Sequence, residues 1–462
     1  MSASPLYRAV WRWHFIAGLL VLPFLLLLAV TGGMYLFKDE LDHAIYRAWD
    51  DVPARAAPPI RAGELVARTQ AATGGQVLQL TMPASASHAV RMVVAHAGGA
   101  PRMAFVDPYD GHLIGTAVYG GVMQIVRKVH SLQYFGPKAS WLVEAAAGWA
   151  ILLVASGIFL WWPRGEPGGV VTVRGKPRQR IFWRDTHAVT GIVAGGVVLF
   201  LAVTGMPWSD LWGGKVQELA TATHTGRPDA PAEVVPDWQL ENYVPPPAGY
   251  ATPGGMPSDH AGHHHGVEPD LPWALEKAPQ PQSSAPGTRA TIPLDAAIAS
   301  FERAGLPKPY SVTLPLGPRG AYAATYSPPH VQDSRVVYVD QYDGRVLDDV
   351  GYARFGPAAK AIEWGIAVHQ GQEYGSVNRY VMLAGCIAIV VLAISSVTMW
   401  WKRRPRGSLG VPPAPVEGRV FRGLVAIMVV VGLFYPLVGV SFVIAFAAEL
   451  AVRGVRHALA RA

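Results

Sequence analysis

Four histidines stand at matching positions in the two halves of this sequence. His14 and His187 each lie 17 residues before a Thr-Gly pair. His130 and His369 each lie 31 residues before a Trp-Trp pair. Neutral imidazole nitrogen is a good axial ligand for haem iron, and two imidazoles leave a six-coordinate centre suited to electron transfer. The pattern makes these four side chains candidate iron ligands, although a single histidine near a membrane surface is more often a hydrogen-bonded interfacial residue.

Other residues beside the first pair fit the same chemistry. Gly18 and Gly191 each follow a histidine by four residues and therefore share its helix face. A flat macrocycle can approach the backbone there, while the competing interpretation is close helix packing in a membrane. Arg12 and Arg184 precede these histidines, and a guanidinium group is suited to pairing with a haem propionate.

The composition indicates a membrane protein. Of 462 residues, 51% are hydrophobic and 15% are charged, against about 25% charged in ordinary soluble domains. A bilayer span needs about 20 apolar residues, and four runs reach that length: 15–37, 141–162, 188–208 and 380–401. A fifth, 421–447, is interrupted by Pro436. We predict an α-helical membrane protein with a four-helix haem-binding core, the first helix following the N-terminus within 1–37.

Basic residues predict the orientation. The segments 1–14, 163–187 and 402–420 together carry a net charge of +10, more than the +7 of the whole chain. The positive-inside rule places them in the cytoplasm with the N-terminus. The basic pI is thus a topology signal and does not indicate nucleic-acid binding. We expect a multi-pass protein in the lipid bilayer of a bacterial inner membrane.

The fifth run fits this rule poorly. If it crosses, the tail 448–462 with its three arginines lies outside, and if it bends at Pro436 it does not cross. We favour a crossing.

With this topology, His14 and His187 lie at the same depth, at the cytoplasmic ends of the first and third spans. His130 and His369 precede the second and fourth spans at the opposite face. Two such pairs predict two bis-histidine haems, one near each surface.

The connections 38–140 and 209–379 are then periplasmic, and each is predicted to be a small α+β domain. Each has a helical segment (61–72; 293–304), alternating strands (89–95; 336–340) and an Asp-Gly hairpin turn at Gly111 or Gly344. The related stretches FVDPYDGHLIG and VYVDQYDGRVL complete a tandem duplication of span, external domain, histidine and span. Residues 226–290 are rich in Pro and Gly and are predicted to form a flexible insertion.

A second histidine cluster lies in that insertion. It could bind copper, nickel or zinc, or form a solvated loop, and it comprises His260, His263, His264 and His265. Glu144, an acid within the second span, is a candidate proton or substrate contact. The single cysteine, Cys386, excludes intramolecular disulfides, cysteine-ligated clusters and c-type haem attachment.

From WRWHFIAG at 11–18, WRDTHAVTG at 183–191, the two histidine segments and the VDPYDG and VDQYDG turns, the sequence resembles the PepSY-associated transmembrane family over residues 8–401. Within that family it is similar to inner-membrane ferrisiderophore reductases. The resemblance implies two b-type haems, the cytoplasmic-side one on His14 and His187 and the periplasmic-side one on His130 and His369. It also implies outward electron transfer that reduces a ferric siderophore or other ferric chelate and releases ferrous iron.

The electron donor must be a separate molecule. The cytoplasmic loops are too short for a flavin or nicotinamide domain, and no glycine-rich dinucleotide fingerprint opens a βαβ unit. A quinol or a soluble reductase that docks on the basic face is expected. Two alternatives stay open: a non-enzymatic PepSY protein that binds or regulates periplasmic peptidases or other partners, and a periplasmic copper-binding or copper-reducing protein that uses the His-rich loop.

Overall fold

The computed structural model of the chain describes residues 5–163, 169–228, 271–276, 278–284, 290–407, 410–412, 426 and 429–459. Its helices before the C-terminal region are α1 (Pro5–Tyr35), α2 (Lys38–Asp50), α3 (Ala62–Thr73), α4 (Gly121–His130), α5 (Ser140–Trp161), α6 (Arg180–Gly205), α7 (Trp212–Ala222), α8 (Trp273–Glu276), α9 (Leu294–Arg303), α10 (Pro357–His369) and α11 (Gly375–Arg403). Its strands are β1 (Gln76–Met82), β2 (Val90–Ala95), β3 (Arg102–Val106), β4 (Leu113–Val118), β5 (Tyr310–Thr313), β6 (Ala321–Tyr326), β7 (Arg335–Asp340) and β8 (Val346–Gly351).

Four of the described helices are long and apolar enough to cross a membrane: α1, α5, α6 with the 3₁₀ turn that follows it to Trp208, and α11. They confirm the four predicted spans. Around the bundle, α1 contacts α5, α5 contacts α6, α6 contacts α11 and α11 contacts α1. Helices α1 and α6 therefore lie on one diagonal. Small residues allow close approach; a Cβ added to Gly385 of α11 would lie 2.6 Å from the Val197 side chain of α6.

The two external segments share one sheet. All eight strands are antiparallel and lie in the order β4-β3-β2-β1-β5-β6-β7-β8, with Leu80 of β1 opposite Val312 of β5. The sequence predicted two α+β domains but not that their strands join in one continuous sheet. Pairing β1 with β5 covers two strand edges that would otherwise expose unpaired backbone groups.

The local predictions for these segments are confirmed. Helices α3 and α9 occupy the two predicted helical segments and pack beside the sheet, where Leu65 and Phe301 belong to one buried core. The β3–β4 and β7–β8 turns contain Gly111 and Gly344 at φ of 71° and 73°. Glycine adopts this left-handed conformation without the steric cost of a Cβ.

Part of the predicted flexible insertion is packed. Residues 229–270 lie outside the described residues, but 271–276 and 278–284 run against the folded chain. Trp273 is 5% exposed, and its indole Nε1 donates to the Pro207 carbonyl at 3.0 Å. Further along, the Ser283 backbone N–H donates to the Arg319 carbonyl. The apolar side chains of the α8 segment explain this packing, because leaving them in water costs free energy.

The C-terminal region reverses direction. Residues 429–434 are helical, and a further helix, Pro436–Leu459, follows directly. A Cβ added to Gly432 would lie 2.8 Å from Gly439 Cα, whereas residues seven apart in one helix are about 10 Å apart. The described part is therefore a helical hairpin with its tip at Tyr435. The sequence favoured a crossing by the run 421–447, and the reversal at Tyr435 corrects this: the described part of the run bends next to Pro436, which was the alternative, and is not one continuous helix.

Candidate functional site

The first candidate site lies between the diagonal helices α1 and α6. The ring centres of His14 and His187 are 6.3 Å apart, and the ring planes are 87° apart. Two imidazoles that bind opposite faces of one metal ion at about 2 Å have ring centres about 6 Å apart. The spacing of this pair is therefore compatible with both rings holding one iron, and we refer to it as the inner pair.

Hydroxyl groups from the other two membrane helices hold the inner pair. The His14 Nδ1 lies 2.8 Å from the Ser156 Oγ of α5. The His187 Nδ1 lies 3.1 Å from Ser395 Oγ and 3.2 Å from Ser396 Oγ, both on α11. Because each Nδ1 is engaged, Nε2 is the nitrogen that each ring can offer to a metal.

The second candidate site, the outer pair, is built by helices outside the four spans. His130 is the last residue of α4, which packs against α1, and its Nδ1 lies 2.9 Å from Thr31 Oγ1. His369 is the last residue of α10, which packs against α6, and its Nδ1 lies 2.8 Å from Thr204 Oγ1. The two histidines that the sequence paired thus occupy matching places, each against a threonine of one of the diagonal helices α1 and α6.

The two pairs lie at different depths in the bundle. His14 and Thr31 are both on α1, and the 17 residues between them correspond to a rise of about 25 Å. His187 and Thr204 have the same separation on α6. One pair therefore lies toward each end of the bundle, as the sequence predicted.

Glycines flank the histidine rings. A Cβ added to Gly32 would lie 3.2 Å from the His130 Cε1, and one added to Gly205 would lie 3.6 Å from the His369 Cε1. The absent side chains leave room for the rings. Gly18 and Gly191, which the sequence singled out, face Leu153 and Leu392 instead. Their role beside a macrocycle stays a prediction.

The two predicted propionate partners are engaged within the protein. Arg184 pairs with the fully buried Asp185 at 2.6 Å, and Arg174 binds the other oxygen of that carboxylate at 2.8 Å. Arg12 donates to the backbone carbonyl of Pro412. A propionate at either arginine would share or displace these contacts, and the predicted pairing stays untested.

Two buried carboxyl groups stabilise helix starts near the outer end of the bundle. Glu144 of α5 accepts hydrogen bonds from the backbone N–H groups of Leu211 and Trp212, both at 3.2 Å. Glu363 of α10 accepts one from the Ala274 N–H at 2.9 Å, and burial raises the pKa of Glu363 to about 7. The Glu144 geometry indicates a helix cap.

The His-rich cluster, His260, His263, His264 and His265, lies outside the described residues. Across the part of the chain that the structure describes, no group of three or more His, Cys, Asp or Glu side chains is placed to hold a metal ion. A bis-histidine haem needs only two protein ligands, so the inner and outer pairs remain the candidate sites.

The sequence reasoning used Thr31 and Thr204 only as markers of the repeat and missed Ser156 and Ser395, so the role of all four hydroxyl groups beside the histidines was not predicted. Thr31 and Thr204 each follow a histidine of the inner pair by 17 residues, and Ser156 and Ser395 each follow one of the outer pair by 26. These offsets recur in both halves, so a search for repeated polar residues within apolar spans would have found them.

Comparison with known proteins places the chain in a family. No curated protein matches it. The model of the PepSY-associated TM region matches residues 11–403, which include all four histidines, most of α1, the other three described spans and the sheet. The chain therefore belongs to the PepSY-associated transmembrane family.

Proposed function

We propose that this protein is a di-haem b-type oxidoreductase of the bacterial inner membrane that passes electrons outward to a periplasmic ferric chelate. The observation that carries the proposal is the shared geometry of the four histidines. Each Nδ1 is held by a serine or threonine hydroxyl, and the rings form two pairs at opposite ends of one bundle. A merely interfacial histidine has no need for a partner at the matching offset in the other half of the chain.

The surroundings of the pairs suit a haem. Neighbouring small residues and apolar side chains separate the two sites, among them Ala29, Val198 and Ile389, which are all buried. Such a core keeps water out of the space between the inner and the outer pair. One-electron transfer is the chemistry that a bis-histidine haem supplies when it is bound. The chain's own residues position the imidazoles and keep each Nε2 free for the iron.

We assign the direction of electron flow from the sequence. The basic segments mark the end that holds the inner pair as cytoplasmic, where a quinol or a soluble reductase supplies electrons. The outer pair lies at the ends of α4 and α10, each of which follows the last strand of one half of the sheet. A ferric siderophore or other ferric chelate would be reduced there and release iron as Fe²⁺. The proposal includes a duplicated origin for the two halves, each with a PepSY-like external part.

Haem content tests the proposal directly. The purified protein should show a b-type reduced-minus-oxidised spectrum with about two haems per chain. The dithionite-reduced protein should then be reoxidised on addition of a ferric siderophore under anaerobic conditions, with Fe²⁺ trapped by a ferrous chelator. Absence of haem after haem-replete expression would favour the non-enzymatic alternative. Haem without reoxidation would leave an electron carrier with a different acceptor.

Histidine variants test the pairing. His130→Ala and His369→Ala should each remove the outer haem and leave the inner one, because the two pairs do not share ligands. His14→Ala and His187→Ala should do the reverse. His112→Ala, on the exposed β3–β4 turn, is the matched control and should keep both haems. Loss of neither haem in the four site variants would refute the pairing.

A further inference from the structure

The hydroxyl groups beside the four histidines share a second contact. Each hydroxyl also lies within hydrogen-bond distance of a carbonyl one turn earlier in its own helix. The oxygen-to-oxygen distances are 2.6 Å for Thr31 to Leu27, 2.7 Å for Thr204 to Phe200, 2.7 Å for Ser156 to Leu152 and 3.0 Å for Ser395 to Leu392. A carbonyl oxygen can only accept, so the hydroxyl must be the donor in this contact.

The proton count then decides the state of each imidazole. A serine or threonine hydroxyl has one proton, and it donates that proton in the hydrogen bond to the helix carbonyl. The hydroxyl oxygen can then only accept from the histidine, so Nδ1 carries the ring proton and Nε2 presents its lone pair. We infer that Thr31, Thr204, Ser156 and Ser395 are positioning residues that fix all four histidines in the Nδ1–H tautomer, the one able to bind iron through Nε2.

The inner pair has an asymmetry that sharpens this inference. The Ser396 Oγ lies 3.2 Å from the His187 Nδ1, in addition to Ser395. The matching place beside His14 is Gly157, whose added Cβ would lie 3.5 Å from the His14 Cε1. His187 thus has two hydroxyl groups within hydrogen-bond distance of its Nδ1 and His14 has one. Loss of Ser156 should therefore affect its histidine more than loss of Ser395 alone.

The inference rests on the proposed haem function, since the chosen tautomer matters only where Nε2 binds a metal. Hydrogen bonds from a ligand histidine to an outer-shell partner orient the ring and raise its basicity, and loss of such a partner typically weakens metal binding about 10- to 100-fold. A more basic ligand stabilises the ferric state. Removal of the acceptor should therefore loosen the haem and shift its reduction potential to a more positive value.

Threonine-to-valine variants provide the test because valine keeps the shape and removes the hydroxyl. In the purified full-length protein, Thr31→Val and Thr204→Val should each weaken retention of the outer haem by about tenfold or more and raise its potential in spectroelectrochemical titration. The inner haem should be unchanged. Thr31→Ser, which restores the hydroxyl, should recover both properties. Ser156→Ala should act on the inner haem, and Ser395→Ala should act less unless Ser396→Ala is added.

Thr398→Val is the matched control. The Thr398 hydroxyl makes the same contact to a carbonyl of its own helix, that of Ile394 at 2.7 Å, but it is not one of the four hydroxyls beside the histidines. If the wild-type protein holds two haems and Thr31→Val matches Thr398→Val in retention and potential, the inference is wrong and the proposed function stands. If the wild-type protein holds no haem, the proposed function itself fails.

Discussion

At the residue scale, the polar side chains of the bundle and its outer end are held by specific partners. Asp185, fully buried in α6, lies between Arg174 and Arg184. Glu363 has a single backbone donor, the Ala274 N–H. A buried charge is costly without such partners. Asp185 is compensated by two guanidinium groups, whereas burial raises the pKa of Glu363 to about 7.

This shift predicts a pH-dependent stability. The folded-state pKa of Glu363 lies above its ordinary value of 4.5, so the protonated form is favoured by folding. The contribution is fully present below about pH 4.5 and is lost as the pH rises through 7. We expect the thermal midpoint of Glu363→Gln to exceed that of the wild type at pH 9 by more than it does at pH 5. Glu218→Gln, at an exposed residue that pairs with Lys215, should show no such change. Equal pH profiles for wild type and Glu363→Gln would contradict the prediction.

At the element scale, short helices outside the spans position the histidines of the outer pair. α4 and α10 each end at one of these candidate ligands, and each packs against the membrane helix that supplies its hydroxyl partner. The start of α10 is set by Pro357 at its first turn, where the missing proline N–H costs nothing. The C-terminal hairpin is the other element whose arrangement matters for function, because it decides on which side the tail emerges.

The hairpin predicts that both chain ends lie on one side of the membrane. Val438 and Phe442 of the Pro436–Leu459 helix pack against α5 near Trp149, and the reversal at Tyr435 turns the chain back. The helix after the turn would then return toward the side of the basic segments, in agreement with the positive-inside rule. A green fluorescent protein fused to the C-terminus should fluoresce, and alkaline phosphatase fused there should be inactive. A fusion ending after Asp110 should behave oppositely. Active phosphatase at the C-terminus would show a crossing instead.

At the scale of the whole molecule, one sheet joins the parts that carry the outer pair. β4 leads into α4 and β8 leads toward α10, while β1 and β5 form the seam between the halves. Leu80 and Val312 face each other at that seam and are fully buried. A defect there should therefore act on both halves together.

Leu80→Ala tests this coupling. Truncation of a buried leucine costs about 2–5 kcal/mol, so the thermal midpoint should fall and limited proteolysis should cleave both halves of the sheet at the same rate. Val346→Ala removes a side chain that is 45% exposed on β8 and should have little effect. Selective cleavage of residues in the first half alone would show that the halves unfold independently.

The spans, the four histidines and the Asp-Gly turns could be predicted from the sequence because hydropathy, residue type and turn chemistry are local properties. The predicted helices at 61–72 and 293–304 fall within one residue of α3 and α9 at either end. The repeated spacings in the two halves also predicted the pairing of His14 with His187, although these residues lie on different helices.

The tertiary structure decided which groups meet across the chain. Thr31 reaches His130 from 99 residues away, and Ser156 reaches His14 from 142. The β1–β5 seam likewise joins segments separated by more than two hundred residues. Hydropathy marks a residue as lipid-facing or buried but does not name its neighbour. The hydroxyl that holds each histidine and the single sheet depend on helix packing and strand pairing, which exist only in the folded chain.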